Sequence, residues 1–289
     1  MTLRRLIGGA IYALSAAIGI LAFVYPFFAP LASQAAGTYA HGQNAPLLTA
    51  ALVALSVVAL LVELQGHAIN AKTVAMLGVL VAVTSVLRFL EVAFPMPGGF
   101  SPVFAPIIIS GYVFGGRFGY LMGTFTLLTS ALITGGVGPW LPYQMFTAGW
   151  AGLTAGWLRR VTDWAGEWIG KLRPASHAAR LTPSVSRSAS PDVLILSVFG
   201  FIWGLLYGLV VNVYFWPFAA GPANQSWAPG IGLQETLGRY AVFYAVTSLT
   251  WDLFRAGGNV LLILFLGAPM IKTLTRFRQR FHFRAGSHA

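Results

Sequence analysis

Cysteine is absent from this 289-residue chain, and acidic residues nearly so: seven Asp and Glu stand against 18 Lys and Arg. The first absence excludes disulfides, thiolate nucleophiles and cysteine-held zinc or iron–sulfur centres. The second leaves few general acids or bases. The five histidines, His41, His67, His177, His282 and His288, are scattered over connectors and tail without metal-ligand spacing. HExxH, GxSxG and Walker A motifs are also missing, so the chain has no hydrolase signature and no ATP-hydrolysing loop of its own. The expectation is a chain that is not an enzyme, with no catalytic residues, no metal and no cofactor.

Charge of either sign is scarce as well. Only 9% of residues are charged while 57% are hydrophobic, a balance no water-soluble core accommodates. The chain therefore reads as a polytopic membrane protein, all-α, with length for roughly eight spans of about 20 residues. Its 33 Gly and 16 Pro predict short, tilted or interrupted helices, tolerated where neighbouring helices satisfy the backbone.

Apolar runs predict helices at Leu6–Phe28, Leu47–Leu64, Ala71–Ala93, Pro102–Gly115, Phe118–Ile133, Leu141–Leu158, Val193–Phe215 and Arg239–Leu266. The first precedes Ala32-Ser33-Gln34-Ala35, which resembles a signal-peptidase site. It exceeds the usual h-region of about 7–15 residues and reads as a retained span. Pro102–Gly115 is too short to cross a core of about 30 Å alone, so it must be submerged among other helices or extended by the PGGFSP segment. Val161–Leu172 reads as an interfacial helix with Trp164 and Trp168 on one side, followed by a connecting loop to Pro191.

The net charge of +11 raises nucleic acid as a partner, and its placement answers that. With the N-terminus inside, 15 of the 18 Lys and Arg fall on inner segments; the others are Arg88 and Arg255 within spans and Arg239 at an outer helix end. This is the positive-inside bias. It predicts eight spans with both termini cytoplasmic and needs no nucleic acid.

The most shaped stretch is Pro95–Leu158, three short helices joined by glycine and proline turns. Its outer connections, PMPGGFSP and GGVGPWLPYQ, and the later loop Trp216–Gly238 are rich in aromatic, Gly, Pro, Asn and Gln residues. That composition suits a pocket for a small, partly apolar molecule. Phe100, Trp140, Tyr143, Gln144, Asn212, Trp216, Tyr244 and Asn259 are candidate binding residues on these loops and adjoining helices. Arg88/Glu91 and Asp252/Arg255 are i,i+3 pairs inside predicted spans, where an ionised group is costly and paired. Glu91, beside PMPGGFSP, is the candidate ligand contact among them; Arg88, Asp252 and Arg255 read as structural charges. Ala71/Ala75, Gly78/Ala82 and Gly152/Gly156 are small residues at i,i+4, spaced for close helix approach.

The ordered set MLGVLVAVTSVLR, PGGFSPVFAPIIISGYVFGGRFGYLMG and SALITGGVGPWLPYQMFTAGWAGLTAGWL resembles the substrate-specific S components of energy-coupling factor (ECF) vitamin transporters, over about Ala71 to Leu266. The resemblance implies a six-helix membrane bundle in the cell membrane that binds a vitamin from outside. It also implies partners: a transmembrane coupling subunit and two cytoplasmic ATPases. The family's small-xxx-small contact with the coupling subunit matches Gly78 and Ala82, with Ala71 and Ala75 an alternative register. Its lid over the pocket matches Pro95–Pro102, and the loop before its fourth helix matches Gly135–Tyr143. The implied mechanism is capture facing outward, then toppling in the membrane to release inside. Of the family's ligands the Pro-Trp-rich loops resemble the corrinoid (cobalamin) type, with riboflavin, a thiamine precursor and queuosine precursors also open. A membrane enzyme or assembly factor using the four intramembrane charges is the alternative. The expected organisation is an N-terminal helical hairpin over 1–70, which departs from the six-helix pattern, an S-component-like domain over 71–272 with its inner loop at 159–191, and a basic tail over 273–289.

Overall fold

The computed structural model describes residues 2–24, 71–94, 99–159 and 191–282, with isolated positions 27, 50, 51, 54, 58, 161, 162 and 164. The expected span Leu47–Leu64 lies outside these residues except at four positions, as do residues 95–98 of the lid segment and most of the 159–191 loop. All regular structure among the described residues is helical: α1 (Thr2–Val24), α2 (Ala71–Ala93), α3 (Phe104–Phe114), α4 (Gly116–Thr134), α5 (Leu141–Ala155), α6 (Pro191–Phe215), α7 (Leu233–Thr247) and α8 (Leu249–His282). A 3-10 turn, Trp216–Phe218, follows α6. Three stretches, Lys72–Ala93, Pro191–Phe218 and Leu249–Gln279, are long and apolar enough to cross a membrane by themselves.

The shortest helix is the centre. α3 spans 11 residues, of which Phe104 through Val113 are all buried. A helix apolar on every side is stable only when surrounded, and α3 packs against α4, α5, α6 and α8. Of the two ways predicted for Pro102–Gly115 to fit the membrane, submersion is the one realised. The helix stops at Gly115, whose φ of +101° disfavours any side chain and whose N–H returns to the Gly111 carbonyl at 2.9 Å.

Glycine then sets the spacing of α3, α4 and α5. A Cβ built on Gly152 would collide with the Gly119 backbone, one on Gly111 with the Gly152 carbonyl, and one on Gly156 with the Gly116 backbone. Gly123 meets the Ala148 carbonyl in the same way. The close approach expected of Gly152 and Gly156 is therefore made inside the bundle, to α3 and α4. The same device joins α6 to α8: Gly200, Gly204 and Gly208 face Ile263 and Asn259, Ala256, and Asp252 respectively. With hydrophobic attraction weak in lipid, such close backbone packing supplies the association.

The expected span Arg239–Leu266 is two helices, interrupted at Ser248. There the Ser248 hydroxyl accepts from Asn212 Nδ2 at 2.6 Å and lies 3.1 Å from the Thr247 hydroxyl. Neighbouring Ser and Thr offer the backbone local alternatives to a continuous helix. α8 instead runs on to His282, so the basic segment from 273 begins as helix.

α1 packs against α5 and α6. Ser15 hydrogen-bonds the Tyr120 hydroxyl, Tyr12 meets the Tyr120 ring edge-on at 5.5 Å, and Phe23 meets Tyr143 at 5.0 Å. α2 packs on α4 through Leu77, Val81, Thr84 and Ser85, leaving Ala75, Gly78 and Ala82 exposed.

Candidate functional site

Two ion pairs that look separate in sequence converge in space. On α2, Arg88 Nη1 donates to Glu91 Oε1 at 3.3 Å, and Ser101 Oγ donates to Glu91 Oε2 at 2.9 Å. On α8, Arg255 donates to Asp252 Oδ1, while its guanidinium lies 5.0 Å above the Tyr207 ring of α6. Arg255 is within electrostatic reach of Glu91, and all four charged groups act on Tyr207. The arrangement is neutral in sum, which is what permits four ionisable groups at this depth. Asp252 is 1% exposed, and its Oδ2 lies against Gly208 with no hydrogen-bond partner among the described residues.

The end of the PMPGGFSP segment lies over this quartet. Gly99, at φ +76°, brings its backbone onto Trp251, the Phe100 ring packs against Gly258 of α8, and Ser101 is buried against Glu91. Beneath them Phe104 meets Tyr207 edge-on at 4.7 Å. The quartet is thus roofed by loop and floored by aromatic rings.

An aromatic wall continues from Tyr207. Tyr214, two turns along α6, stacks on Tyr143 of α5 with centroids 3.9 Å apart and planes at 5°. Trp216 is 2% exposed, donates its indole N–H to the Gln225 carbonyl at 2.8 Å, and packs against Tyr240 at 5.0 Å. Tyr240 and Tyr244, one turn apart on α7, donate to the Leu209 and Leu205 carbonyls of α6. Leu209 adjoins Gly208, which lies against Asp252, so the wall and the quartet are one region.

Of the residues named from sequence, Glu91, Phe100, Tyr143, Asn212, Trp216 and Tyr244 fall in or beside this region, as do the structural charges Arg88, Asp252 and Arg255. Gln144 is half-buried on the first turn of α5. Trp140 is 43% exposed and returns its indole N–H to the Gly136 carbonyl at 3.1 Å, closing its own turn. Asn259 is fully buried with Nδ2 bonded to the Gly200 carbonyl at 2.9 Å, tying α8 to α6. Ser101, Tyr207 and Ser248 were missed. Ser101 carried a signal, its place in PGGFSP beside Glu91; Tyr207 carried only its setting between Gly204 and Gly208.

A family model described as the substrate-specific component of an ECF transporter matches residues 72–267. The chain belongs to that family. No curated protein and no solved structure matches it. The match begins at α2 and ends within α8, leaving α1 outside it. As an ECF S component the chain is a membrane transport subunit that binds a substrate and does not transform it, which removes the enzyme alternative. S components work with a coupling subunit and ATPases, consistent with a chain lacking a nucleotide-binding motif.

Proposed function

We propose that this S component captures a vitamin-like small molecule, with a corrinoid preferred, from outside the cell membrane and delivers it inward with its coupling subunit and two ATPases. The charge bias along the chain favours eight spans with both termini cytoplasmic. The observation that carries the reading is the joining of a neutral charge quartet to an aromatic wall beneath the 99–101 segment. Rings provide stacking surface, and a few fixed polar groups provide orientation. Glu91, Phe100, Tyr143, Gln144, Asn212, Trp216 and Tyr244 are the proposed contacts, with Ser101 and Tyr207 added. Trp140 and Asn259 are given structural roles. The Pro-Trp-rich outer loops favour the corrinoid.

Calorimetric titration of the purified chain with cyanocobalamin, riboflavin and thiamine tests this. Saturable binding of the corrinoid is expected, and Glu91→Gln should weaken it about tenfold, the worth of one charge-assisted hydrogen bond. Trp140→Phe should leave affinity unchanged. Wild-type affinity in Glu91→Gln, or binding of none of the three, would overturn the assignment.

A further inference from the structure

The opposite end of the bundle holds a pocket that the substrate region does not use. It is a cavity of about 480 Å³ where the ends of α3 and α5 and the start of α6 meet the last turns of α8. Val113, Ala268 and Ile271 give it an apolar floor, and Arg159, Lys272 and Arg276 give it a cationic rim. Ala268, Lys272 and Arg276 recur every four residues, so floor and rim share one face of α8. Arg278 is turned away to the Val113 carbonyl, donating at 2.7 Å and pinning α8 against α3. None of the three rim cations makes an ion pair among the described residues. Among the described residues Asp192, at the start of α6, is the one acid lining the pocket, against three cations.

Of the described basic residues, Arg117, Arg159, Lys272, Arg276 and Arg278 lie at this end, which makes it the inner end by the positive-inside bias. Beside the pocket runs a second, apolar groove of about 320 Å³, lined by Leu158, Leu194 and Val198 among others. It begins one residue from Arg159 and two from Asp192. A cationic recess adjoining an apolar groove at helix ends matches a phosphate at headgroup level with hydrocarbon beside it.

We infer that this pocket binds the phosphate of an anionic phospholipid of the inner leaflet, its acyl chain lying along the Leu158–Val198 groove. The inference is independent of which substrate the outer region takes. Basic pockets between membrane helices on the cytoplasmic side bind anionic headgroups in this way. A soluble phosphate would use the same cations but not the groove.

The test is native mass spectrometry of the delipidated full chain in dodecyl maltoside. Dioleoylphosphatidylglycerol, dioleoylphosphatidylcholine and millimolar inorganic phosphate are added separately. Selective retention of phosphatidylglycerol is expected, falling about fivefold for each of Arg159→Gln, Lys272→Gln and Arg276→Gln. Asp192→Asn should raise retention, an effect of opposite sign that misfolding does not mimic. Equal retention of the two lipids, or wild-type retention in the triple variant, would overturn the site. Release of bound phosphatidylglycerol when inorganic phosphate is then added to the loaded chain would overturn the lipid in favour of a free phosphate.

Discussion

A chain carrying Gly152→Val is expected to fail to accumulate as a folded protein in the membrane. The glycine sits where α5 crosses α4, and even a single Cβ there would run into the Gly119 backbone, its Cα 2.9 Å away. Gly111 of α3 lies against the Gly152 carbonyl from another side. Overpacking a core usually costs about 1–3 kcal/mol when side chains yield. Here the obstacle is the backbone of two helices, which yields only by moving them, and α3 at the centre moves with them. Fluorescence-detected size exclusion of the detergent extract should show loss of the monodisperse peak. Gly257→Ala, at a position with nothing within 4 Å of the added atom, should keep it. A monodisperse, heat-stable Gly152→Val chain would show that the three-helix glycine contact is not what holds the core.

The double substitution Gly78→Leu with Ala82→Leu is expected to do the reverse, leaving the chain folded and ligand-competent while abolishing its recovery with the ATPases. Both residues lie on the exposed face of α2, and a Cβ on Gly78 meets nothing within 4 Å. Bulk added there projects outward and costs the bundle little. A partner helix that approaches closely only over small residues is pushed away by the width of a side chain. Among the described residues α1 packs chiefly on α5 and α6, and the Gly78/Ala82 stripe is exposed. Affinity purification followed by immunodetection of the ATPases reads the effect. Undiminished co-purification from a double variant with wild-type melting would move the coupling contact elsewhere.

Much of the fold was legible in the sequence because lipid imposes strict rules on it. α2 occupies the predicted Ala71–Ala93, and the brevity of α3 alone implied burial or extension. Local pattern is silent about lateral register. Arg88/Glu91 and Asp252/Arg255 announce themselves as i,i+3 pairs, but nothing in either helix says that α2 and α8 bring them to one tyrosine. The Gly200/Gly204/Gly208 repeat stands in the sequence as GFIWGLLYG, but spacing alone does not say whether such a stripe faces a neighbour inside the bundle or a partner outside it. The break at Ser248 has no Pro or Gly to mark it; its signal is the Thr247-Ser248 pair, which hydropathy does not weigh. Trp140 keeps its indole N–H on the Gly136 carbonyl of its own turn, a bond its place in the loop does not announce.

The central claim is that this chain is the ligand-capturing subunit of an ATP-driven importer, with its ligand held by the charge quartet and aromatic wall. Native mass spectrometry of the gently purified assembly tests it most directly. The predicted spectrum contains the chain with one bound corrinoid-sized molecule, a coupling subunit and two ATPases, and Glu91→Gln loses the small molecule while keeping the subunits. A spectrum of the chain with neither a small molecule nor ATPases, from cells supplied with the ligand, would contradict it.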